Sequence, residues 1–328
     1  MSFWFSCMGI RCNYFKFLWG RFMKKRVQIY LCTNGFFDLP KKAPFIPIQG
    51  GAAINQRLPG VIGDDTGENI SKLNPMFCEM TAMYWAWKNA PKTDYIGFFH
   101  YRRLFNFGRP LAPERHWSER IFSDFKPETM KRFGWDYETI LNTIDGADII
   151  LPHIEDVQRP PLWDQPGTLY EHYRNCHVSR DINLTIKVIK DLYPEDTLLT
   201  DKVMNSTHGY FCHMFIMKWD IFQEYMKWVF DITLSVTDKI DLNAPIYKYN
   251  PQERRVSGFI GERIINIFVE KKRRQGAKII EMERILGNLP KEGFLQSKGE
   301  NRKKFFIKKL NRAITMRLGN HQFTLGAG

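Results

Sequence analysis

Cysteine is sparse and unpatterned in this 328-residue sequence: Cys7, Cys12, Cys32, Cys78, Cys176 and Cys212 form no CxxC pair and no metal-ligand spacing. That argues against a disulfide framework and fits reduced thiols in a cytoplasmic protein. GxGxxG and Walker sequences are absent, which counts against dinucleotide oxidoreductases and P-loop enzymes. The first 25 residues lack the uninterrupted run of about 20 apolar residues that spans a bilayer. They also lack the apolar core and small-residue cleavage site of a signal peptide. Disorder is excluded by composition, with 44% hydrophobic and 15% aromatic residues enough for a sizeable core.

Charge is present but unevenly spread. Of the net +13, residues 1–26 carry +6 and residues 254–328 carry +12, leaving −5 for residues 27–253. A mildly acidic body with basic, aromatic-rich ends does not fit nucleic-acid binding, which needs a positive face running through the fold. It fits the anionic surface of a membrane better. Residues 1–24 therefore read either as an interfacial segment or as an extension ahead of a start at Met23, the second being preferred because MKKRVQIYLC runs straight into a strand. At the other end, Arg302–Leu318 puts Phe306, Ile307, Leu310, Ala313, Ile314 and Leu318 opposite its lysines and arginines, a basic amphipathic helix. It reads as membrane-facing, against the alternative of a helix docked on the body of the chain. The expected organisation is an extension over 1–24, one α/β domain over 25–285 and a basic tail over 286–328.

Within that domain, the chain is organised around Asp94–Phe105, DYIGFFHYRRLF. Tyr95–Phe99 is a short aromatic and apolar run of the kind that forms a buried strand. His100, Tyr101, Arg102 and Arg103 follow directly, at the strand mouth where an open α/β sheet places its ligands. An ordinary surface turn with two solvated arginines is the alternative.

Other elements follow from pattern. Arg26–Cys32 reads as a first strand, ended by a turn at Thr33-Asn34-Gly35, and Pro40–Pro47 as loop. Gly50-Gly51 would let backbone approach a phosphate, a weak signal by itself. Asn74-Pro75 opens a helix expected to run to about Asn89, apolar on nearly every side. Its one acid, Glu79, must be paired with an arginine (Arg102 or Arg103 being the obvious partners) or functional. Residues 106–135 read as loop-rich, Ala147–Pro152 as a strand, residues 153–180 as irregular and Asp181–Leu192 as a helix. Beyond these come a strand in His208–Met217, helices over Trp219–Val236 and Gly258–Lys272, and a last strand at Ala277–Met282.

Several of these segments together resemble a bacterial family of capsular and exopolysaccharide glycosyltransferases, long catalogued as a domain of unknown function. The resemblance covers about Val27 to Glu283. It rests on RVQIYLCTN, FIPIQGGAAIN, GDDTGENISKLNPMFCEMTAMYWAWKN, DYIGFFHYRRLF, ADIILP, TLYEHY, MFIMKWDIFQEY and RVSGFIGERIINIF in that order. It implies a GT-A-like (Rossmann-like) mixed sheet flanked by helices, a nucleotide-sugar donor and a growing, lipid-linked saccharide acceptor. Some members resemble galactofuranosyltransferases of O-antigen or capsule synthesis, so the expected donor is UDP-galactofuranose and the expected location the inner face of the plasma membrane. Cys212-His213, where a Tyr-Asn pair is expected in relatives, puts acceptor identity in doubt.

Glycosyl transfer needs the leaving diphosphate neutralised, the acceptor hydroxyl deprotonated and the sugar positioned. A metal-using GT-A enzyme carries Asp-x-Asp at a strand end; HYRR stands there instead. Arg102 and Arg103 are therefore expected to bind the diphosphate, with His100 beside them and Thr33, Gly50, Gly51 and Asp64 lining the donor site. Asp64-Asp65 is a metal site for Mn2+ or Mg2+, a ribose site, or only a turn and helix-opening motif. Glu262 is the first choice of base because Gly258 and Gly261 leave its helix start open, though a Glu there also suits the helix dipole; Asp65 is second. His208, His213 and Arg263 are assigned to the acceptor, with packing an alternative for the two histidines. Rival readings are a sugar-nucleotide or phosphate-ester hydrolase and a non-catalytic membrane scaffold.

Overall fold

Alternation along the central strands builds two cores. In β1 (Val27–Thr33), Ile29 and Leu31 face one way while Tyr30 and Cys32 face the other. In β4 (Tyr95–His100), Tyr95 and Phe99 join the first group and Ile96 and Phe98 the second. This period of two, apolar on both faces, is what a sheet buried between two layers requires. The computed structural model describes residues 25–35, 37–109, 120–159, 166–245 and 249–287. The extension expected over 1–24 and most of the tail expected over 286–328, including its amphipathic segment, lie outside them.

The remaining central strands are β2 (Phe45–Gln49), β3 (Ile62–Gly63), β7 (Ile149–Pro152), β10 (Phe215–Lys218) and β11 (Ile279–Met282), in the order β11-β7-β10-β4-β1-β2-β3. β1 pairs in parallel with β2 and β4, β2 with β3, and β7 with β11, while β10 is antiparallel to both β4 and β7. The carboxyl ends of the parallel strands thus open on one edge, and β10 begins there. Gly97 in mid-β4 allows this pairing to be close, since a Cβ at that position would lie 2.7 Å from Ile216 Cγ1. At the same edge β4 turns back into β5 (Arg103–Phe105), with His100 opposite Arg103. β5 pairs with β12 (Arg284–Gly287), and β12 with β6 (Arg120–Phe122). β8 (Glu155–Asp156) and β9 (His208–Gly209) form a separate two-stranded ribbon.

The helices are α1 (Asn74–Phe77), α2 (Met80–Asn89), α3 (Pro127–Arg132), α4 (Tyr137–Ile144), α5 (Leu169–Cys176), α6 (Ser179–Leu192), α7 (Thr197–Met204), α8 (Trp219–Thr237) and α9 (Val256–Arg274). Helices α2, α6, α8 and α9 cover the face carrying Tyr30 and Phe98; α4 and the β5–β12 extension cover the other. α9 packs against α1, α7 and α8 and is buried around most of its circumference, so its first turns are held firmly at the strand edge. Among the described residues no helix is long and apolar enough to cross a membrane.

The mixed, mostly parallel sheet flanked by helices is the expected GT-A-like fold in a single domain. Several elements differ from expectation. The helix at 74–89 is two helices, broken at Cys78 (φ 55°). Phe45–Gln49 is a strand despite Pro47, because β3 reaches only Ile48 and Gln49 and leaves position 47 beyond its end. The segment expected to be irregular contains α5, started by a capping box between Thr168 and Glu171. His208–Met217 is interrupted by a turn at Cys212-His213, and the loop-rich 106–135 includes β6 and α3.

Candidate active site

The HYRR turn stands at the carboxyl end of β4, facing the loop that leads into β10. His100 Nε2 lies 2.6 Å from the Cys212 carbonyl oxygen. Burial, helped by the Arg103 guanidinium, lowers the His100 pKa to about 4. The ring is neutral at neutral pH, and its Nε2–H donates to the carbonyl. Arg102 is fixed through its backbone, whose carbonyl accepts from Gly287 N at 2.7 Å. Its guanidinium lies 5.6 Å from the Tyr101 ring, and Tyr101 stacks on Phe37 at 4.1 Å. Arg102 and Arg103 are both half-buried.

Cys212 and His213 have φ of 72° and 47°, a left-handed pair without glycine. Such residues cost on the order of 1–3 kcal/mol each unless the surroundings impose the conformation. Here they do: Glu262 accepts from Cys212 N at 2.5 Å, Arg284 donates to Cys212 Sγ at 3.1 Å, and His213 Nε2 is 2.7 Å from Tyr225 Oη. Arg284 also faces Glu155 at 3.5 Å. Gly261 makes room for the His213 ring, since a Cβ there would come within 2.9 Å of His213 Cε1 and 2.6 Å of Met80 Sδ. Gly258 likewise clears Cys78, whose Sγ would be 2.9 Å from an added Cβ. The two glycines therefore seat protein side chains rather than open the helix start to a ligand.

The two glutamates of this centre have opposite proton affinities. Burial by itself would raise Glu262, but the Arg263 guanidinium, the Cys212 N–H and Arg103 hold it down at about 2. It is 2.8 Å from Arg263 Nη1 and always ionised at neutral pH. Glu79, whose side chain is 15% exposed, is raised by burial against the opposing pull of His213 and Arg255. Its Oε1 lies 3.9 Å from His213 Nδ1, so its close basic neighbours are that ring and Arg255 rather than the HYRR arginines expected from sequence. Arg255 Nε donates to Cys78 Sγ at 2.9 Å. That thiol stays protonated, pushed up to about 11 by burial. Arg102, Arg103, Arg255, Arg263 and Arg284 outnumber Glu79, Glu155 and Glu262 around the loop, which gives the centre a positive field suited to an anion.

Other expected site residues stand elsewhere or are spent internally. Asp64 has no exposed surface; its carboxylate accepts from Gly51 N at 2.8 Å, Ala52 N at 2.9 Å and Ser71 Oγ at 2.5 Å. Asp65 pairs with Arg57 at 2.6 Å. The Asp64-Asp65 pair does not fit a divalent ion, because the first carboxylate is saturated by donors and the second is neutralised by a guanidinium. Among the described residues no three His, Cys, Asp or Glu side chains converge as metal ligands. Gly50 and Gly51 are buried against Asn74, with Gly51 at φ +68° and an added Cβ 2.7 Å from the Asn74 side chain. Thr33 is buried, its Oγ1 closing a turn on Gly35 O at 2.9 Å. Arg263, 3% exposed, is spent on Glu262 and on His172 Nδ1 at 3.0 Å; it has no surface to offer an acceptor. His213, 2% exposed, is likewise a packed residue. His208 is exposed on β9, its Nδ1 2.9 Å from Thr207 Oγ1.

Sequence reasoning brought His100, Arg103 and Glu262 to one place and singled out Cys212-His213, but missed Arg255 and the Cys78 thiol beside them. One signal was available: Arg255, Phe259 and Glu262 recur at helical spacing at the start of RVSGFIGER. The contact between Arg284 and Glu155 joins residues 129 positions apart and carries no local signal.

This sheet order, with one antiparallel strand among parallel ones and a basic centre at their carboxyl edge, defines a GT-A-like α/β protein. The chain belongs to the family described as Domain of unknown function (DUF4422), which matches residues 28–273. Among solved structures it is similar to WbbM, a bifunctional glycosyltransferase in its apo form, with 35% identity and a TM-score of 0.74 over 80% of this chain and 45% of that one. The chain thus spans less than half the length of that protein. No curated protein matches it.

Proposed function

We propose that this chain transfers a glycosyl group from a nucleoside-diphosphate sugar to a saccharide hydroxyl. The observation that carries the reading is the pair Glu79 and Glu262, driven apart in proton affinity within a cluster of arginines. Two carboxylates separated in this way mark a division of labour between a proton acceptor and a permanent charge. Glu262, held near 2, is too weak a base and instead fixes Arg263 and the Cys212 loop. Glu79 takes the part of the base. It accepts the acceptor hydroxyl's proton as that oxygen bonds to the anomeric carbon. The bond from that carbon to the diphosphate oxygen breaks, and the nucleoside diphosphate leaves with the electron pair. Arg102 and Arg103 neutralise it. A single displacement of this kind inverts the anomeric centre.

The resemblance of its segments to galactofuranosyltransferases supports UDP-galactofuranose as donor and a bacterial surface polysaccharide on a lipid carrier as acceptor, while the likeness to WbbM supports glycosyl transfer in general. The basic residues of 1–26 and 254–328 support work on the anionic inner face of the plasma membrane. The direct test is thermal unfolding with a panel of nucleotide sugars, with and without Mn2+, followed by product analysis. UDP-sugars are expected to protect, by about 2.7 kcal/mol at a hundredfold excess over Kd, and product to require a glycan acceptor. Free sugar released at full rate without acceptor would make the protein a hydrolase.

A further inference from the structure

Resting on Glu79 as the base, we propose that His213 is its positioning residue: the Nδ1–H of His213 is held by Tyr225 to point at the Glu79 carboxylate and bonds to its ionised form, holding it ready for the acceptor proton. The geometry fixes the tautomer. Tyr225 is fully buried, and its hydroxyl has His213 Nε2, at 2.7 Å, as its hydrogen-bond partner. A buried hydroxyl needs an acceptor for its proton, and this nitrogen supplies one. Nε2 therefore accepts, and the ring proton sits on Nδ1. That atom is fully buried and has no hydrogen-bond partner, while Glu79 Oε1 is 3.9 Å away. An orphaned buried donor carries a desolvation penalty. It is recovered when the carboxylate moves closer by about 1 Å, into ordinary hydrogen-bond range.

The remaining groups around Glu79 cannot substitute for this donor. Arg255, on the first turn of α9, is engaged with Cys78 Sγ; Glu262, on the same helix, repels the charge. Cys78, adjacent to Glu79, and Cys32, on β1, are thiols raised by burial, and Tyr225, on α8, is raised likewise. His213 presents an unengaged ring N–H towards the carboxylate, its pKa lowered to about 4 by burial with His100, on β4, adding to the effect. A donor that bonds better to the ionised carboxylate than to the acid lowers the pH at which the base becomes competent.

The test is the pH profile of acceptor-dependent turnover in the full chain. His213→Leu is expected to move the acid limb up by about one pH unit, a roughly tenfold loss at low pH and little at high pH. His213→Asn, which restores an N–H, is expected to bring the limb back. Tyr225→Phe, which frees the tautomer, is expected to move it in the same direction as His213→Leu and serves if that variant does not fold. UDP protection against thermal unfolding should survive in all three. A limb unmoved in the folded variants overturns the proposal. Glu79→Gln separates the two levels: if it is inactive while the limb stays fixed in the other variants, only the role of His213 fails. If Glu79→Gln keeps full turnover, the base assignment fails and this inference with it.

Discussion

His100 and Cys212, 112 positions apart, are joined by a 2.6 Å hydrogen bond from the imidazole Nε2–H to the backbone carbonyl. The bond ties the mouth of β4 to the turn before β10. Both sides of the basic centre are thereby held at a fixed separation, with Arg103 on one and the Glu262-bound Cys212 amide on the other. A neutral imidazole suits this role, because a charged ring would meet Arg103 in a site that burial already makes costly for charge.

That neutrality sets a pH dependence. The His100 pKa falls from 6.5 in the unfolded chain to about 4 in the fold. The unfolded state therefore takes up a proton between these values while the folded state does not. The stability contributed by neutral burial is complete above 6.5 and is lost as pH falls towards 4, at about 1.4 kcal/mol per pH unit per proton. His100→Gln keeps a donor but does not titrate. It is expected to be less stable than the wild type by about 1 kcal/mol at pH 7, with the gap closing within about one pH unit below 6.5 and reversing in the variant's favour by pH 4.5. Urea midpoints across that range measure it; a wild-type advantage that grows on acidification would contradict the buried neutral ring.

Asp64 gives a prediction that separates structure from ligand binding. Its carboxylate holds two successive backbone N–H groups and the Ser71 hydroxyl with no exposure to water. Asp64→Ala leaves those donors buried and unpaired, at about 1–3 kcal/mol apiece, so a drop in stability of several kcal/mol is expected. Asp65→Ala, which removes only the half-exposed pair with Arg57, should cost under about 1 kcal/mol. Chemical denaturation of both variants checks the contrast. Equal losses would mean that the two acids share one role.

What the sequence made legible follows from how local each signal is. β4 and β1 carry period-two apolar runs, and α8 and α9 carry helical ones; all stand close to where expected. The break at Cys78 was invisible because no glycine or proline marks it. It is imposed by the packing of Gly258 against Cys78 and by Arg255 on its thiol, contacts 177 or more positions long in sequence. The capping box at Thr168 and Glu171 was visible and went unread, which is why α5 was missed. In the site, residue types were readable but proton affinities were not. Glu79 and Glu262 are the same side chain in one centre and burial raises both; the Arg263 guanidinium, the Cys212 N–H and Arg103 overcome it at Glu262, while His213 and Arg255 do not at Glu79.

Arg102 and Arg103 carry the anion-binding part of the proposal. Each is half-buried at the strand mouth, so replacing one removes a charge-assisted contact without opening the core. Arg102→Ala and Arg103→Ala are each expected to weaken UDP binding about tenfold or more, read as a reduced UDP-induced shift measured from each variant's own unliganded unfolding temperature. Arg102→Lys should recover only part of the loss, since an ammonium lacks the planar fork that matches phosphate oxygens. Full protection in both alanine variants would remove the diphosphate from this turn.

Glu262→Gln distinguishes a permanent charge from a base. The amide oxygen can still accept from Cys212 N, but its NH2 would face the Arg263 Nη1 that Glu262 now meets at 2.8 Å. Arg263 is 3% exposed and would lose its counter-charge, at about 3–5 kcal/mol for a buried pair broken from one side. The sign of the pH dependence follows from the lowered pKa. The folded value of about 2 lies below the usual 4.5, so the contribution is full above 4.5 and is lost as pH falls from there towards 2. The variant should therefore be destabilised by a constant amount from pH 8 to pH 5, with the difference from wild type shrinking below about 4.5. Turnover per folded molecule should fall by less than the hundredfold or more that removal of a general base produces. If Glu262→Gln instead left stability unchanged and abolished turnover, Glu262 would be the base and Glu79 the structural carboxylate.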